Sequence, residues 1–303
     1  MGDASGVGGW EVVTARNQEE RSSGPGLGSP TPAHLTKTLY VPGHDGSTSN
    51  ISVFEVTEQY KESVKERGMG SASYVVALGR MPKPQADSED LATGANKIVY
   101  NVNFKDAALS LTSSSSAESL VEAKVTIESA EDKAATITLK PQDEGAVEAI
   151  SMSASYLIPP TTWKKKVYAH PYFGFQFPGE NGNFLEWQIH PVSRGRLRYT
   201  LVRNPRAQGT GDGATPIIPL DEDILAIYHH IGDTISFPLP VSEGVLLVSS
   251  DMDSATEAIV VASALGMLWK LRLLCKTSES TGSTSKVSKK GGLGFIKDLL
   301  HKN

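Results

Sequence analysis

An apolar stretch near the end of the chain constrains the fold more than any other feature. Residues 258–269 read AIVVASALGMLW, a run of 12 between Glu257 and Lys270. A helix that is apolar on every face must be buried on every face. The run is also shorter than the about 20 apolar residues that a membrane-spanning helix needs. The pattern therefore predicts a helix over 254–272 that lies inside the protein and does not cross a membrane.

The flanks of this stretch carry signals for a helix start and a helix end. Ser254 and Glu257 have the spacing of a capping box, and Asp253 suits the positive end of the helix dipole. Lys270 and Arg272 suit the negative end and mark the exit of the helix. We expect five side chains of the helix to be largely buried: Ile259, Val260, Leu265, Leu268 and Trp269.

The chain before this helix is dominated by short segments rich in β-branched and aromatic residues, with turn-forming residues between them. The strand candidates are 37–41, 51–56, 73–78, 97–104, 107–112, 121–129, 135–141, 149–159, 167–170, 173–177, 184–190, 196–202, 224–231, 235–240 and 244–249. Only the charged stretch Tyr60–Arg67 favours a short helix there. About a dozen such strands are typical of a meander or closed barrel. We predict a mainly β fold: a closed barrel of about twelve strands that encloses one apolar C-terminal helix.

The ends of the chain differ in composition from its middle. Residues 1–36 are rich in Gly, Ser and Pro and hold few large apolar side chains, so we expect a disordered N-terminal tail. Residues 37–275 would form the barrel domain. A flexible basic linker is expected over 276–292, followed by a short amphipathic helix over 293–303.

Composition excludes several functional classes. The net charge of -5 argues against nucleic-acid binding, which favours a strongly basic domain. Cys275 is the only cysteine, so neither an intramolecular disulfide nor a cysteine-based zinc site can form. The first residues, MGDASGVGGWEVV, lack the basic and apolar regions of a secretory signal. These features predict a cytoplasmic, non-secreted protein.

Chemistry-bearing residues do not form a recognisable catalytic motif. There is no G-x-S-x-G elbow and no P-loop. His170 and His190 each precede a proline at a strand end, and adjacent His229 and His230 would point to opposite faces of a strand. We interpret the histidines as solvated residues near turns. The sequence therefore predicts no enzyme, no cofactor and no metal, and an enzyme using the barrel mouth is the least favoured alternative.

Two sets of basic residues suggest an anionic ligand. They are Arg194, Arg196 and Arg198, and Lys164, Lys165 and Lys166. The arginines alternate along the chain, so on a strand their guanidinium groups project from one face. Planar guanidinium groups match pairs of phosphate oxygens. The alternatives are a binding site for an anionic headgroup and an exposed strand face that charge makes soluble.

The last eleven residues, LGFIKDLLHKN, form a second candidate binding element. Their apolar residues at helical spacing are Leu293, Phe295, Ile296, Leu299 and Leu300. From residue 276 onward the chain carries six lysines against Glu279 and Asp298, a net charge of +4. This helix could lie on an anionic membrane, fill a groove on a protein partner, or pack back on its own barrel.

Two segments carry a family resemblance. They are GVLLVSSDMDSATEAIVVASALGMLWKLR (244–272) and YFGFQFPGENGNFLEWQIHP (172–191). Their pattern of apolar and aromatic residues resembles that of the tubby C-terminal-like superfamily, which includes tubby, phospholipid scramblases and the plant LURP-one-related proteins. In that family a twelve-stranded barrel encloses an apolar helix, and the likeness covers residues 37–275. The phosphoinositide-binding residues of tubby do not align one by one with this chain, and the acidic calcium-binding segment of scramblases is not evident.

Together these features predict a non-enzymatic binding or adaptor protein of tubby-like fold. Its expected ligand is an anionic phospholipid at a membrane surface, where the protein would be peripheral. The alternative is a protein–protein interaction scaffold that works through its tails. A protein partner of the C-terminal peptide would fit either hypothesis, because fold alone does not determine function.

Overall fold

The computed structural model describes residues 30–84, 97–114, 122–128, 133–140, 149–155, 172–177, 183–190, 198–204, 221–231 and 241–280. The strands are β1 (Lys37–His44), β2 (Asn50–Glu55), β3 (Lys97–Lys105), β4 (Ala108–Ser113), β5 (Glu122–Ile127), β6 (Lys133–Lys140), β7 (Ala149–Ser155), β8 (Tyr172–Gln176), β9 (Phe184–His190), β10 (Arg198–Asn204), β11 (Ile224–His230) and β12 (Ser242–Val248). The helices are α1 (Thr57–Val64), α2 (Ala72–Gly79) and α3 (Ser254–Ser280), and a 3-10 turn spans Asp221–Asp223.

The strands form one closed antiparallel barrel. Each strand pairs with its neighbour in sequence, and β1 pairs with β12 to close the sheet. At the closure Leu39 lies opposite Leu246, and both side chains belong to the interior core. Closure leaves no free sheet edge, which removes a common route to edge-to-edge aggregation. The predicted mainly β fold with a closed twelve-stranded barrel is confirmed.

Helix α3 lies inside this barrel, against β5 and β6. A Cβ atom on Gly266 would stand 3.1 Å from Val125 Cγ1, so the helix backbone approaches the wall where glycine leaves room. All five helix side chains predicted to be buried are buried. The segment Ser254–Leu273 is long and apolar enough to cross a membrane, but 78% of its most apolar window is buried in the protein. The enclosed apolar helix is therefore confirmed.

The start of α3 differs from the predicted capping box. Asp253 caps the helix, because its Oδ1 accepts the backbone N–H groups of Ala255 at 3.0 Å and Thr256 at 2.9 Å. The Glu257 carboxylate instead accepts hydrogen bonds from Lys37 Nζ at 2.8 Å and Tyr100 Oη at 3.0 Å. Glu257 therefore joins the helix to two strands instead of closing its own first turn.

The end of α3 also differs from expectation. The helix continues to Ser280 instead of ending near residue 272. Lys270 and Arg272 are buried, whereas their charge predicts that the helix leaves the protein interior there. Lys270 Nζ donates to the Glu128 carbonyl at 2.7 Å, so a main-chain oxygen on the wall holds this cation.

The strand predicted over 73–78 is wrong, because this segment forms helix α2. Ser71 caps the helix, its Oγ accepting the Tyr74 N–H at 3.2 Å. Tyr74 and Leu78, four residues apart, are both buried against the outer wall. The short helix expected over Tyr60–Arg67 is present as α1, which begins at Thr57 and ends at Val64.

A second apolar core lies outside the barrel, where α1 and α2 cover part of the wall. Its members from the strands include Tyr40, Phe54, Ile227 and Leu247, on β1, β2, β11 and β12. The two helices are joined by a hydrogen bond of 2.9 Å between the Tyr60 and Tyr74 hydroxyl groups. Strands predicted over 167–170 and 235–240 lie outside the described residues, as do 1–29 and 281–303.

Replacing Ser263 with alanine tests the rotation of α3 inside the barrel. Trp187 Nε1 on β9 donates to Ser263 Oγ at 3.0 Å, and both side chains are fully buried. Loss of the acceptor leaves a buried donor unsatisfied, which costs about 1–3 kcal/mol, partly offset by about 0.5 kcal/mol of helix propensity. We expect urea unfolding to show a loss of about 1–2 kcal/mol. Ser110→Ala, on the outer face of β4, should change stability by less than about 0.5 kcal/mol.

Candidate functional site

The described part of the barrel interior is filled by side chains. Helix α3 occupies it together with five large aromatic residues that are fully or almost fully buried: Phe173, Phe175, Trp187, Tyr199 and Tyr228. Eight- to twelve-stranded barrels can hold a ligand only where side chains leave space. Binding chemistry is therefore expected on the outer wall and at the barrel ends.

Only one of the six predicted basic residues can be located. Arg198 is the first residue of strand β10. The others lie outside the described residues: Arg194, Arg196, Lys164, Lys165 and Lys166. The five apolar residues of the C-terminal peptide lie outside them too: Leu293, Phe295, Ile296, Leu299 and Leu300.

Arg198 is buried, so for this residue the interpretation as an exposed, solubilising charge is wrong. Only 5% of its surface is accessible. It faces outward, because Tyr199 beside it belongs to the interior core and side chains alternate along a strand. Its partner across the β10–β11 pair is His229, whose ring lies 5.2 Å from that of Tyr74 on α2. Helix α2 therefore covers the wall at Arg198.

The charge of Arg198 is poorly compensated. Burial lowers the pKa of its guanidinium group to about 10, and only the nearby Tyr74 acts in the opposite direction. The group is still a cation at neutral pH. It forms no ion pair with a carboxylate of the described residues, and its buried Nε has no hydrogen-bond partner among them. A buried cation in this position is destabilising unless an anion or a strong acceptor meets it.

Two further buried polar groups adjoin Arg198 on the same face. Thr200 lies two residues along β10 and pairs across the sheet with Gln188 on β9. Among the described residues, neither Thr200 Oγ1 nor Gln188 Oε1 has a hydrogen-bond partner. Gln188 Nε2 donates to Glu186 Oε1 at 3.1 Å, which directs the amide oxygen the other way. We call Gln188, Arg198 and Thr200 the β9–β10 polar cluster. It offers donors for an anionic oxygen and an acceptor for a hydroxyl group.

The expectation of solvated histidines is wrong for three residues. His44, His229 and His230 are buried. His229 faces outward toward Tyr74, and His230 follows it on the inner face of β11. Within the described ranges no group of three His, Cys, Asp or Glu residues could hold a metal ion.

One end of the barrel carries an aromatic stack that the sequence did not indicate. His44 stacks on Phe104 at 5.5 Å, and Phe104 stacks on Trp269 at 5.0 Å. The Arg272 guanidinium lies 5.6 Å from the centre of the Trp269 ring and donates to Ser242 Oγ at 2.9 Å. The rings come from β1, β3 and α3, so only the folded barrel brings them together. All three rings of the stack are buried.

A groove between α1 and α2 was also missed, because α2 was predicted to be a strand. Its volume is about 580 Å³, and it is lined by Ser63, Arg67, Ala72, Ser73, Val76, Ala77 and Arg80. Val76 is 52% exposed, the highest value among the large apolar side chains of the described residues. We call this surface the α1–α2 groove.

No protein-family model, curated protein or solved structure matches the chain. The resemblance to the tubby C-terminal-like superfamily thus stays a hypothesis drawn from residues and architecture.

Proposed function

We propose that the chain is a non-enzymatic binding protein of tubby-like fold that recognises an anionic phospholipid at a membrane surface. The observation that carries the proposal is Arg198, a buried cation that no described carboxylate neutralises. Strongly perturbed, desolvated charges are found preferentially at functional sites. A phosphate oxygen at this position would supply the missing acceptor.

The surroundings of Arg198 favour a phosphate ester over a simple carboxylate. Thr200 adds a hydroxyl donor beside the guanidinium, and Gln188 Oε1 adds an acceptor that an anion cannot satisfy. A headgroup that carries phosphate and hydroxyl groups together would satisfy all three. Arg194 and Arg196 precede Arg198 at alternating positions of the sequence, but both lie outside the described residues, so the proposal rests on Arg198 alone.

Arg198→Met tests the proposal because it should improve stability while it weakens binding. Replacing a desolvated charge with an apolar side chain of similar volume is expected to raise the free energy of unfolding by about 1–3 kcal/mol. Loss of one charge-assisted hydrogen bond, worth about 1.5–3 kcal/mol, should weaken binding to anionic liposomes at least tenfold. Urea unfolding and liposome flotation measure the two effects.

Lys124→Met is a matched control, because Lys124 is exposed on β5 on the far side of the barrel. It should leave both quantities nearly unchanged. Liposomes of neutral lipid should bind neither the wild type nor the variants. Wild-type protein that does not float with anionic liposomes, or Arg198→Met protein that floats as well as wild type, would contradict the proposal. The scaffold hypothesis would then be the better one.

A further inference from the structure

Helix α2 is unusual for a surface helix because none of its eight residues, ASYVVALG, is charged. Its inner face is used by the fold, since Tyr74 and Leu78 are buried against the barrel wall. Its outer face leaves Val76 52% exposed in the α1–α2 groove. The outer face of α2 thus presents one exposed apolar side chain with small residues around it.

The rim of the groove is basic. Arg67 and Arg80 are exposed, and the residues lining the groove include no carboxylate. Arg67 Nη1 donates to the Ser63 carbonyl at 2.9 Å, which fixes its guanidinium beside the groove at the end of α1. The two exposed arginines that line the groove with Val76 add an attraction for anions to the apolar contact.

The acidic residues of α1 do not cancel this charge. Glu58 pairs with Lys61 at 3.0 Å, and Glu62 pairs with Lys65 at 2.8 Å. Residues 57–80 contain three glutamates against two lysines and two arginines, a net charge of +1 on a chain whose net charge is -5. The surface formed by the two helices is thus locally positive.

This surface lies on the same wall as Arg198. Tyr74 of α2 interacts electrostatically with the Arg198 guanidinium, and its ring lies 5.2 Å from the ring of His229. The opposite wall, around β5, presents the charged side chain of Lys124 among polar strand residues. A ligand bound at Arg198 and a partner in the groove would approach the barrel from one side.

We infer that the α1–α2 groove is the face by which the protein lies on an anionic bilayer. Val76 enters the boundary between headgroups and acyl chains, and Arg67 and Arg80 contact lipid phosphates on either side of it. This inference rests on the proposed function and adds the orientation of the protein on the membrane. A helical peptide partner would need several apolar anchor sites in a row, whereas this groove offers one valine and two alanines.

The contacts are expected to orient the protein more than to anchor it. Each arginine near an anionic leaflet contributes about 1 kcal/mol, which is about fivefold in affinity. Charge reversal at both positions, Arg67→Glu with Arg80→Glu, should therefore weaken flotation with phosphatidylserine liposomes at least 25-fold at low salt. The control is Lys105→Glu with Lys124→Glu, which changes the net charge equally at two exposed positions away from the groove. It should weaken binding only a few-fold.

A fluorescent probe tests the orientation without changing any arginine. With Cys275 replaced by serine, an environment-sensitive fluorophore is attached to the full chain at Val76→Cys or, in the control, at Lys124→Cys. Phosphatidylserine liposomes should shift the emission of the probe at position 76 to the blue and leave the probe at position 124 unchanged. Equal shifts at both positions, or a shift at 124 alone, would overturn the inference.

The experiments separate this inference from the proposed function. Suppose that Arg198→Met loses liposome binding, while Arg67→Glu with Arg80→Glu binds as well as the control with two lysine reversals. The lipid site at Arg198 is then supported, and the inference that the α1–α2 groove faces the membrane is wrong. If wild-type protein binds no liposome, both are wrong. If a polyglutamate peptide shifts the probe at position 76 and liposomes do not, the groove binds acidic protein, and the membrane orientation is refuted.

Discussion

Leu265→Asp should leave no folded barrel at neutral pH. Leu265 is 1% exposed and lies in the interior core with the rest of α3. The substitution loses the about 1.5–3 kcal/mol that burial of a leucine contributes, and it places a carboxylate among the apolar side chains of the interior core. An unpaired buried charge costs several kcal/mol more. The sum approaches the whole stability of a typical domain, about 5–15 kcal/mol.

Circular dichroism and thermal unfolding would show the loss as a missing cooperative transition. Val76→Asp is the matched control, because it introduces the same charge at a site that is 52% exposed on the outside of the barrel. We expect it to change the free energy of unfolding by about 1 kcal/mol or less. A soluble Leu265→Asp protein with the melting temperature of the wild type would mean that α3 is not enclosed.

The interior of the fold could be predicted from the sequence, because its signals are local and strong. The run around Leu265 has no polar face, so burial was the only physical solution, and the alternation of Tyr100, Val102 and Phe104, all in the interior core, is typical of a strand. The prediction for helix α2 was wrong for a physical reason. Its residues Val75 and Val76 favour strands by propensity, whereas the Ser71 cap and packing against the outer wall of the barrel stabilise a helix.

The candidate site was only partly predictable, and the same helix explains why. Alternation placed Arg198 on one face of a strand, but its exposure depends on α2, which was expected to be a strand. The sequence also did not predict that Val76 and the two arginines line one groove, because that groove exists only if residues 72–79 form a helix. The stack at His44 joins residues that are far apart in sequence, from β1, β3 and α3, so no local sequence pattern could predict it.

The stability of the protein should fall as the pH drops from about 6.5 to about 4, in large part because of His44. Burial, and after it the positive charge of Arg272, lowers the pKa of His44 to about 4. In the unfolded chain the pKa of a histidine is about 6.5. Between these values the unfolded chain binds a proton that the folded chain does not, so protonation favours unfolding. A difference of about 2.5 pKa units corresponds to about 3 kcal/mol.

His44 is in a position where protonation cannot be accommodated without cost. Its Nδ1 lies 2.9 Å from the Pro42 carbonyl oxygen, and its ring stacks on Phe104. Arg272 Nη1 donates a hydrogen bond to the backbone carbonyl oxygen of His44. Asp45 is the carboxylate that attracts a proton to His44, but burial and Arg272 outweigh it. Hydrogen bonds from Ser47 and Thr48 lower the pKa of Asp45 itself to about 2, so its own titration affects stability only below the window of His44.

Urea unfolding of wild type and His44→Gln at pH 7.0, 5.5 and 4.5 isolates this residue, because every other titrating group is common to both proteins. Glutamine can still donate to the Pro42 carbonyl, but it does not titrate and stacks less well on Phe104. His44→Gln should therefore be the less stable protein at pH 7.0, and its disadvantage should shrink by about 2–3 kcal/mol by pH 4.5. Parallel pH profiles would show that His44 takes up its proton equally in the folded and unfolded chains. The aromatic stack at this end of the barrel would then be open to water.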